Sequence, residues 1–413
     1  MTQQTAEMTT DIIVAGAGSA GLSAAIAFAQ AGFSVVCIGK IPAHAPGRTV
    51  ALFDGSLRFY KALGLWDRFA ADVAPLEKIR LIDDTGSLFR LPPVEFSARE
   101  IGLDAFGENI ENDVLVAGLA DIARATPNLT LIESLIAQVI PGEDKIIVEC
   151  DDGRAVAARL VVAADGRKSI ARDAAGIDVE SWPYPQTALT VLLEHDQPHR
   201  DVSTEFHTRA GPCTLVPMVG RAGAPHRSSL VWLMNPHEAE RRMALSDAEL
   251  SEEIEKQIHS IHGPTRVVGP RGAFPMGGLK AKSFAARRIA LIAETAHVFP
   301  PIGAQGLNLS LRDIATLVEA VEDARDAGRD IGGDETLAAY DAGRRADVAT
   351  RVRGVDALNR SLLTNILPVD FLRGAGLIAL ANIGPLRRAL MREGVMPRGR
   401  PPRLMADQRQ KAS

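Results

Sequence analysis

The chain has 413 residues, 46% of them hydrophobic, enough for two domains or one large interleaved fold with a sizeable core. A net charge of −5 excludes a nucleic-acid binder on charge grounds, and three cysteines without a C-x-x-C pair exclude a disulfide frame or a thiolate metal site. The charge is unevenly placed: residues 351–413 hold twelve Lys/Arg against four Asp/Glu, a local +8, which leaves about −13 on the first 350 residues.

Taken in chain order, Met1–Thr10 lacks the basic start and apolar core of an export signal. No apolar run reaches the roughly 18 residues of a membrane span. These features predict a cytoplasmic protein, with peripheral contact at the inner face of a membrane through its basic C-terminal region.

The first elements form a βαβ unit. Ile12–Ala15 reads as a buried strand, Ala20–Ala31 as a helix stopped by Gly32, and Ser34–Ile38 as the next strand. Gly16, Gly18, Ser19 and Gly21 form the turn between the first strand and the helix, in the G-x-G-x-x-G pattern of a dinucleotide fold. Glycine lets backbone N–H groups approach a pyrophosphate, and a helix start supplies partial positive charge. An acid should end the second strand and hold the adenosine ribose. Gly39 occupies that place and Lys40 follows, so this motif alone leaves FAD and NADP both open. If the missing acid matters, Gly39→Glu should tighten the dinucleotide.

Further along, Arg48 precedes an apolar helix start, and Asn112 opens another helix, where its plain reading is an N-cap. Leu160–Ala164 is a strand ending in Asp165-Gly166. Between Pro75 and Gly107, and between Trp182 and Pro275, alternation predicts antiparallel strands with the look of pocket walls. His195 and His199 have helical ligand spacing, but Pro198 between them argues against a helix, and no metal is assigned. Ser246 and Glu249 predict a capping box on a scaffold helix whose face carries Leu250, Ile254, Ile258 and Ile261. Ala290–Leu317 then reads as a strand ending in Ala293-Glu294, a stiff Pro300-Pro301 turn, bare backbone at Gly303 and Gly306, and a helix beginning near Leu307.

The glycine turn, the central Asp165-Gly166 and the sequence Ala293-Glu294-Thr295-Ala296-His297 followed by Pro300-Pro301, Gly303, Gly306, Leu307 and Asn308 together resemble the FAD-dependent aromatic monooxygenases of the para-hydroxybenzoate hydroxylase-like fold. Stretches such as "GRTVALFDGSLRFYKALGLW", "SSLVWLM" and the C-terminal "SLLTNILPVDFLRGAGLIALANIGPLRRALMREG" narrow the resemblance to the ubiquinone-biosynthesis hydroxylases. The resemblance implies an α/β fold: a Rossmann-like FAD-binding domain (11–74, 108–180 and 276–350), an interleaved β-sheet substrate domain (75–107 and 181–275), and a helical C-terminal region (351–413). It implies FAD as cofactor, NAD(P)H as reductant without a domain of its own, and O2 as co-substrate. The reaction would be ring hydroxylation of a polyprenylated phenol or quinone precursor through a C4a-hydroperoxyflavin.

The same resemblance distributes the roles. Gly16, Gly18, Ser19 and Gly21 hold the pyrophosphate. Arg48 lies near the flavin, and Asn112 touches the ribityl-phosphate. Asp165 and Gly303 belong to the cofactor site, Glu294 accepts a hydrogen bond from the ribityl chain, and Gly306, Leu307 and Asn308 present N–H groups to the flavin N1–C2=O edge. Pro301 shapes the dry pocket, and His297 lies under the cofactor, a structural histidine more than a proton carrier; these two are the catalytic candidates. The family's usual Gly-Asp stands here as Ala293-Glu294. Rival readings are another reaction on this fold, a non-catalytic scaffold in a quinone-making assembly, and an NADP dehydrogenase using Lys40.

Overall fold

A computed structural model describes residues 8–42, 47–86, 92–300, 302–363, 383–395 and 400–407. The opening βαβ unit comprises strand Ile12–Ala15, helix Ser19–Gln30 and strand Val35–Ile38. Both strands are buried throughout, as continuous Val/Ile runs demand when a sheet is covered on both faces. The helix buries every residue from Gly21 to Ala29, which explains its nearly all-apolar sequence.

These strands lie inside a six-stranded sheet in the order Ala285–Ala286, Ile289–Leu291, Leu160–Ala163, Ile12–Ala15, Val35–Ile38, Leu129–Ile132. All pairings are parallel except the one at the Ala285–Ala286 edge. Register is the feature that matters here. Ala163 pairs with both Ala15 and Leu291, so three strands end at one level. The chain then leaves that edge as Gly16, as Ala164-Asp165, and as Ile292-Ala293-Glu294. Three motifs far apart in sequence are gathered beyond the carboxyl ends of neighbouring strands, the usual ligand position of a parallel sheet.

The second large sheet has eight strands, in the order His297–Val298, Thr265–Ala281, Val179–His195, Arg227–Met234, Gly211–Met218, Val202–Thr208, Lys78–Asp83, Val94–Ser97. It is antiparallel except where Val202–Thr208 meets Lys78–Asp83. Thr265–Ala281 and Val179–His195 are each 17 residues long, and His297–Val298 joins this sheet by pairing with Lys280 and Leu279. A three-stranded sheet of Thr49–Phe53, Gly107–Glu111 and Val73–Pro75 also forms. Its Thr49 hydroxyl lies 2.7 Å from the Ser229 hydroxyl of the large sheet.

The large sheet packs its own apolar cluster against a helix that carries the predicted capping box. The Ser246 N–H donates to Glu249 (2.9 Å), and the Glu249 N–H donates to the Ser246 hydroxyl (3.3 Å). Leu250, Ile254 and Ile258 are fully buried on its inner face. Helices Gln305–Asp326, Asp334–Leu363 and Gly384–Val395 follow. The apolar stretch 364–382 and the last residues, 408–413, of the C-terminal region lie outside the described residues.

His195 ends its strand instead of joining a helix with His199, as Pro198 demands. Its ring stacks on His262 at 4.5 Å, with His199 and His226 at 6.2 and 6.3 Å. Among the described residues no group of His, Cys, Asp and Glu is arranged to hold a metal ion. Burial, reinforced by its histidine neighbours, pulls His262 down from 6.5 to about 3, and burial lowers His195 and His199 as well. The unfolded chain therefore takes up protons below pH 6.5 that the folded chain refuses. Stability is fully present above that pH and is lost as pH falls toward about 3. Urea midpoints should decline across this window, and His262→Leu should flatten the decline; an unchanged slope would show that the cluster does not titrate with unfolding.

Candidate functional site

The glycine turn is shaped by close approach. Gly16 has φ +114°, and its N–H donates to the Ile38 carbonyl at 2.7 Å. A Cβ at Gly16 would stand 2.3 Å from the Ala164 carbonyl oxygen, and one at Gly21 would stand 1.9 Å from the Gly16 oxygen. Those two glycines serve packing of the turn on the sheet. Gly18 differs: a Cβ there meets nothing within 4 Å. It is the N-cap of helix Ser19–Gln30, whose start has no side-chain cap and no acid in its first turn. Ser19 is the first helical residue, and its carbonyl accepts the Ser23 hydroxyl at 2.6 Å. An open glycine before an uncapped helix start is a cradle for an anion.

Gly39 corrects a sequence expectation. A Cβ at this position would lie 2.5 Å from the Ala17 nitrogen and 3.0 Å from the Gly16 Cα. The strand end is pressed against the glycine turn, so an acid cannot be restored there without moving the turn itself.

Asp165 is committed to its own loop. Its carboxylate accepts the Ser169 hydroxyl at 2.6 Å and the Ala171 N–H at 3.2 Å, and burial raises it above the ordinary carboxylate value. Ser169 in turn caps helix Ile170–Ala175 through the Arg172 N–H. Two arginines that the sequence reading gave no role connect this loop to the next motif. Buried Arg172 donates to the Thr295 and Arg167 carbonyls, and Arg167 pairs with Glu294 at 3.1 Å, both side chains about half exposed. A basic cluster directly after Asp-Gly was the available signal for them.

Ala293 adopts φ +58°, in the left-handed region, where a Cβ costs about 1–2 kcal/mol. A glycine would take that conformation without strain, in keeping with the Gly-Asp that the resemblance leads one to expect here. The Ala293 N–H donates to Asp313 at 3.1 Å. Asp313 is fully buried, and it was not among the sequence-predicted residues. His297 Nε2 stands 2.7 Å from the same carboxylate oxygen, and Arg344 Nε donates to the other at 2.8 Å. Burial pushes Asp313 upward, but His297 and Arg344 more than reverse it, so the carboxyl is held below its ordinary value. The network continues from Arg344 to Asp347 at 2.7 Å, and Arg312 and Arg351 each add a 3.2 Å contact to Asp347. Partly buried Asp347 is brought down to about 2 because these three arginines outweigh its desolvation. The His297 side chain is 1% exposed and its ring lies nearly parallel to Phe299, a scaffold position.

The next helix starts at Gln305, two residues before the predicted Leu307, after two residues of positive φ, Gly303 and Ala304. Its start also lacks a side-chain cap and an acid, and a Cβ at Gly306 would meet nothing within 4 Å. Leu307 packs on the main core. Asn308 does not present its side chain to a ligand. Its oxygen accepts the Phe53 N–H and the Ser56 hydroxyl, and its amide donates to the Ala51 and Ala304 carbonyls, all between 2.6 and 2.8 Å. With every donor and acceptor used, Asn308 fixes the helix to strand Thr49–Phe53.

Arg48 is exposed, with its guanidinium 5.3 Å over the Phe274 ring, and its carbonyl accepts the Asn112 N–H at 3.1 Å. Asn112 is the first residue of its helix; the N-cap is Glu111, which corrects the capping reading. Pro301 lies outside the described residues. The structure thus gathers Gly16–Gly21, Asp165 and Glu294 at one sheet edge, and joins Arg48 with Asn112 through their backbones. Two uncapped helix starts, each beside an open glycine and on helices that pack together, fit an extended dinucleotide with an anionic centre and an electron-poor ring.

The family described as FAD binding domain matches residues 9–354, and the chain belongs to it, as an FAD-dependent monooxygenase. The ubiquinone hydroxylase UbiL of Rhodospirillum rubrum is 33% identical over 410 residues, covering 97% of this chain and 93% of that protein. The 3-demethoxyubiquinol 3-hydroxylase of Escherichia coli is 29% identical, covering 93% and 97%. Within the family the chain falls in the branch of the ubiquinone hydroxylases. Among solved structures, p-nitrophenol 4-monooxygenase PnpA of Pseudomonas putida shares the fold at TM-score 0.77 and 17% identity, over 95% of this chain and 100% of that one.

Gly39→Glu should weaken FAD binding about tenfold, since overpacking costs about 1–3 kcal/mol. Flavin titration of the purified variant checks this, and tighter binding would contradict the packing at residue 39.

Proposed function

We propose that this protein hydroxylates the aromatic ring of a polyprenylated phenol, a quinone precursor on the way to ubiquinone, with FAD as cofactor and O2 as co-substrate. The observation that carries the reading is the register that brings the glycine turn, Asp165-Gly166 and Ala293-Glu294 to one sheet edge, in a chain whose relatives are ubiquinone hydroxylases. FAD, when bound, supplies the activation of O2 for transfer of one oxygen atom to the ring. The residues of the chain do the rest. Gly18, Ser19 and the following N–H groups hold the pyrophosphate, with Gly16 and Gly21 allowing the approach. Glu294 receives a ribityl hydroxyl, and Arg167 orients it. The helix start at Gly306, Leu307 and Asn308 offers amide dipoles to the flavin edge where negative charge develops, and these need no reorganisation. Pro300 stiffens the turn that excludes water. Arg48 and Asn112 border the cofactor, Asp165 shapes its loop, and His297 positions the turn as a structural residue.

In this reading 11–74, 108–180 and 276–350 bind the cofactor, and 75–107 with 181–275 bind the substrate. NAD(P)H is the reductant and docks without a fold of its own. The lipophilic phenol arrives from the inner face of a membrane or from another quinone-biosynthesis protein. Exposed Ile383, Leu386 and Leu390 and the basic composition of residues 351–413 support membrane contact there. Among the described residues no helix is long and apolar enough to cross a membrane.

The purified protein should be yellow, and with reductant and a prenylated phenol it should give a product heavier by one oxygen. A preparation that stays colourless in added FAD would overturn the reading. Gly16→Val should abolish bound flavin, because a side chain at this positive φ would strike the Ala164 carbonyl. Removal of residues 363–413 should release the protein from anionic vesicles in a sedimentation assay, and undiminished binding would move the contact elsewhere.

A further inference from the structure

The buried ion network runs past the site in a definite direction. At one end Asp313 holds the Ala293 N–H and His297. At the other, Arg351 Nη1 donates to the Gln305 side-chain oxygen at 2.7 Å, while the Gln305 amide donates to the Gly303 carbonyl at 3.0 Å. Gln305 is the first residue of the helix whose start faces the open Gly306. The segment between His297 and Gln305 is therefore tied at both ends to one set of buried charges. Within that set three guanidinium groups, Arg312, Arg344 and Arg351, converge on two carboxylates, Asp313 and Asp347, and Arg351 is the one that reaches the helix start.

We infer that Gln305 and Arg351 are positioning residues for the flavin-facing helix start: Arg351 sets a guanidinium cation against Gln305, and Gln305 holds the two preceding left-handed residues in place. The inference rests on the hydroxylase reading and extends it to residues that touch neither substrate nor reacting atoms. Amide dipoles at a helix start favour negative charge in front of them, and a cation coupled to the first turn adds to that preference. Oxidised flavin is neutral in its ring and gains negative charge on reduction. The brace should thus matter more for the reduced cofactor than for the oxidised one, which a purely structural role would not produce.

The test uses full-length protein with Arg351→Met, Gln305→Leu and the double variant. Three quantities are read: the FAD dissociation constant, the flavin reduction potential, and the melting temperature of flavin-free protein. Arg351→Met should weaken oxidised FAD binding several-fold and reduced FAD binding about tenfold more, a potential lower by about 30 mV for a two-electron couple. The double variant should lose no more affinity than the larger single loss, since the two side chains act through one hydrogen bond. Arg351→Lys should recover part of the potential. Equal losses for oxidised and reduced flavin, or additive losses in the double variant, would overturn the inference. So would a melting-temperature change with affinity and potential untouched. Should wild-type protein bind no flavin, the hydroxylase reading falls first, and that outcome is distinct from all of these.

Discussion

A carboxylate without solvent is the constraint on which this structure turns. Asp313 has no exposure, and an ionised group so placed is tolerated only when its oxygens are matched by charges and donors. It recruits Arg344 from a later helix, His297 from the edge of the large sheet, and the Ala293 N–H from the end of a parallel strand. Three separate elements are thereby fixed relative to one another beside the sheet edge where the glycine turn, Asp165 and Glu294 meet. The left-handed conformation at Ala293 accompanies this arrangement, because the N–H aimed at Asp313 belongs to that residue. The departure from glycine adds strain that the buried contacts sustain.

Much of the frame was legible in the sequence because it follows local rules. Continuous Val/Ile runs beside a glycine turn describe a parallel strand pair, and Ser246 with Glu249 describes a helix start, since the partners lie within a few residues. The family resemblance then placed three motifs together before their strands were known to end at one level. Contacts that close over long separations were not legible. Nothing near Gly39 in the chain reveals that the Gly16–Ala17 backbone lies against it. The motif speaks for the Asn308 backbone N–H alone, and nothing in it reveals that the Asn308 side chain is used on residues more than 250 positions earlier. Asp313, Arg344 and Arg351 were invisible for the same reason: charged residues on helices read as solvated until the packing shows which faces meet.

The three changes from the family pattern have different physical characters. At residue 293 the backbone conformation is retained and a methyl group is tolerated against it. At residue 294 the longer acid reaches Arg167, whose loop is held by buried Arg172, so an extra methylene is accompanied by a fixed cationic partner. The missing acid at residue 39 is of a third kind, a loss of room and not only of charge.

One strand runs along the large sheet with two shifts of register against its neighbour. Thr265–Ala281 lies against Val179–His195 for most of its length, carries Phe274 beneath Arg48, and ends by pairing with His297–Val298. Gene fragments of two homologues joined anywhere inside that stretch would have to match pleat and register on both flanks at once. Viable chimeras should therefore cross over in the hairpin ends, and the large sheet and the turn that follows His297–Val298 should be inherited together.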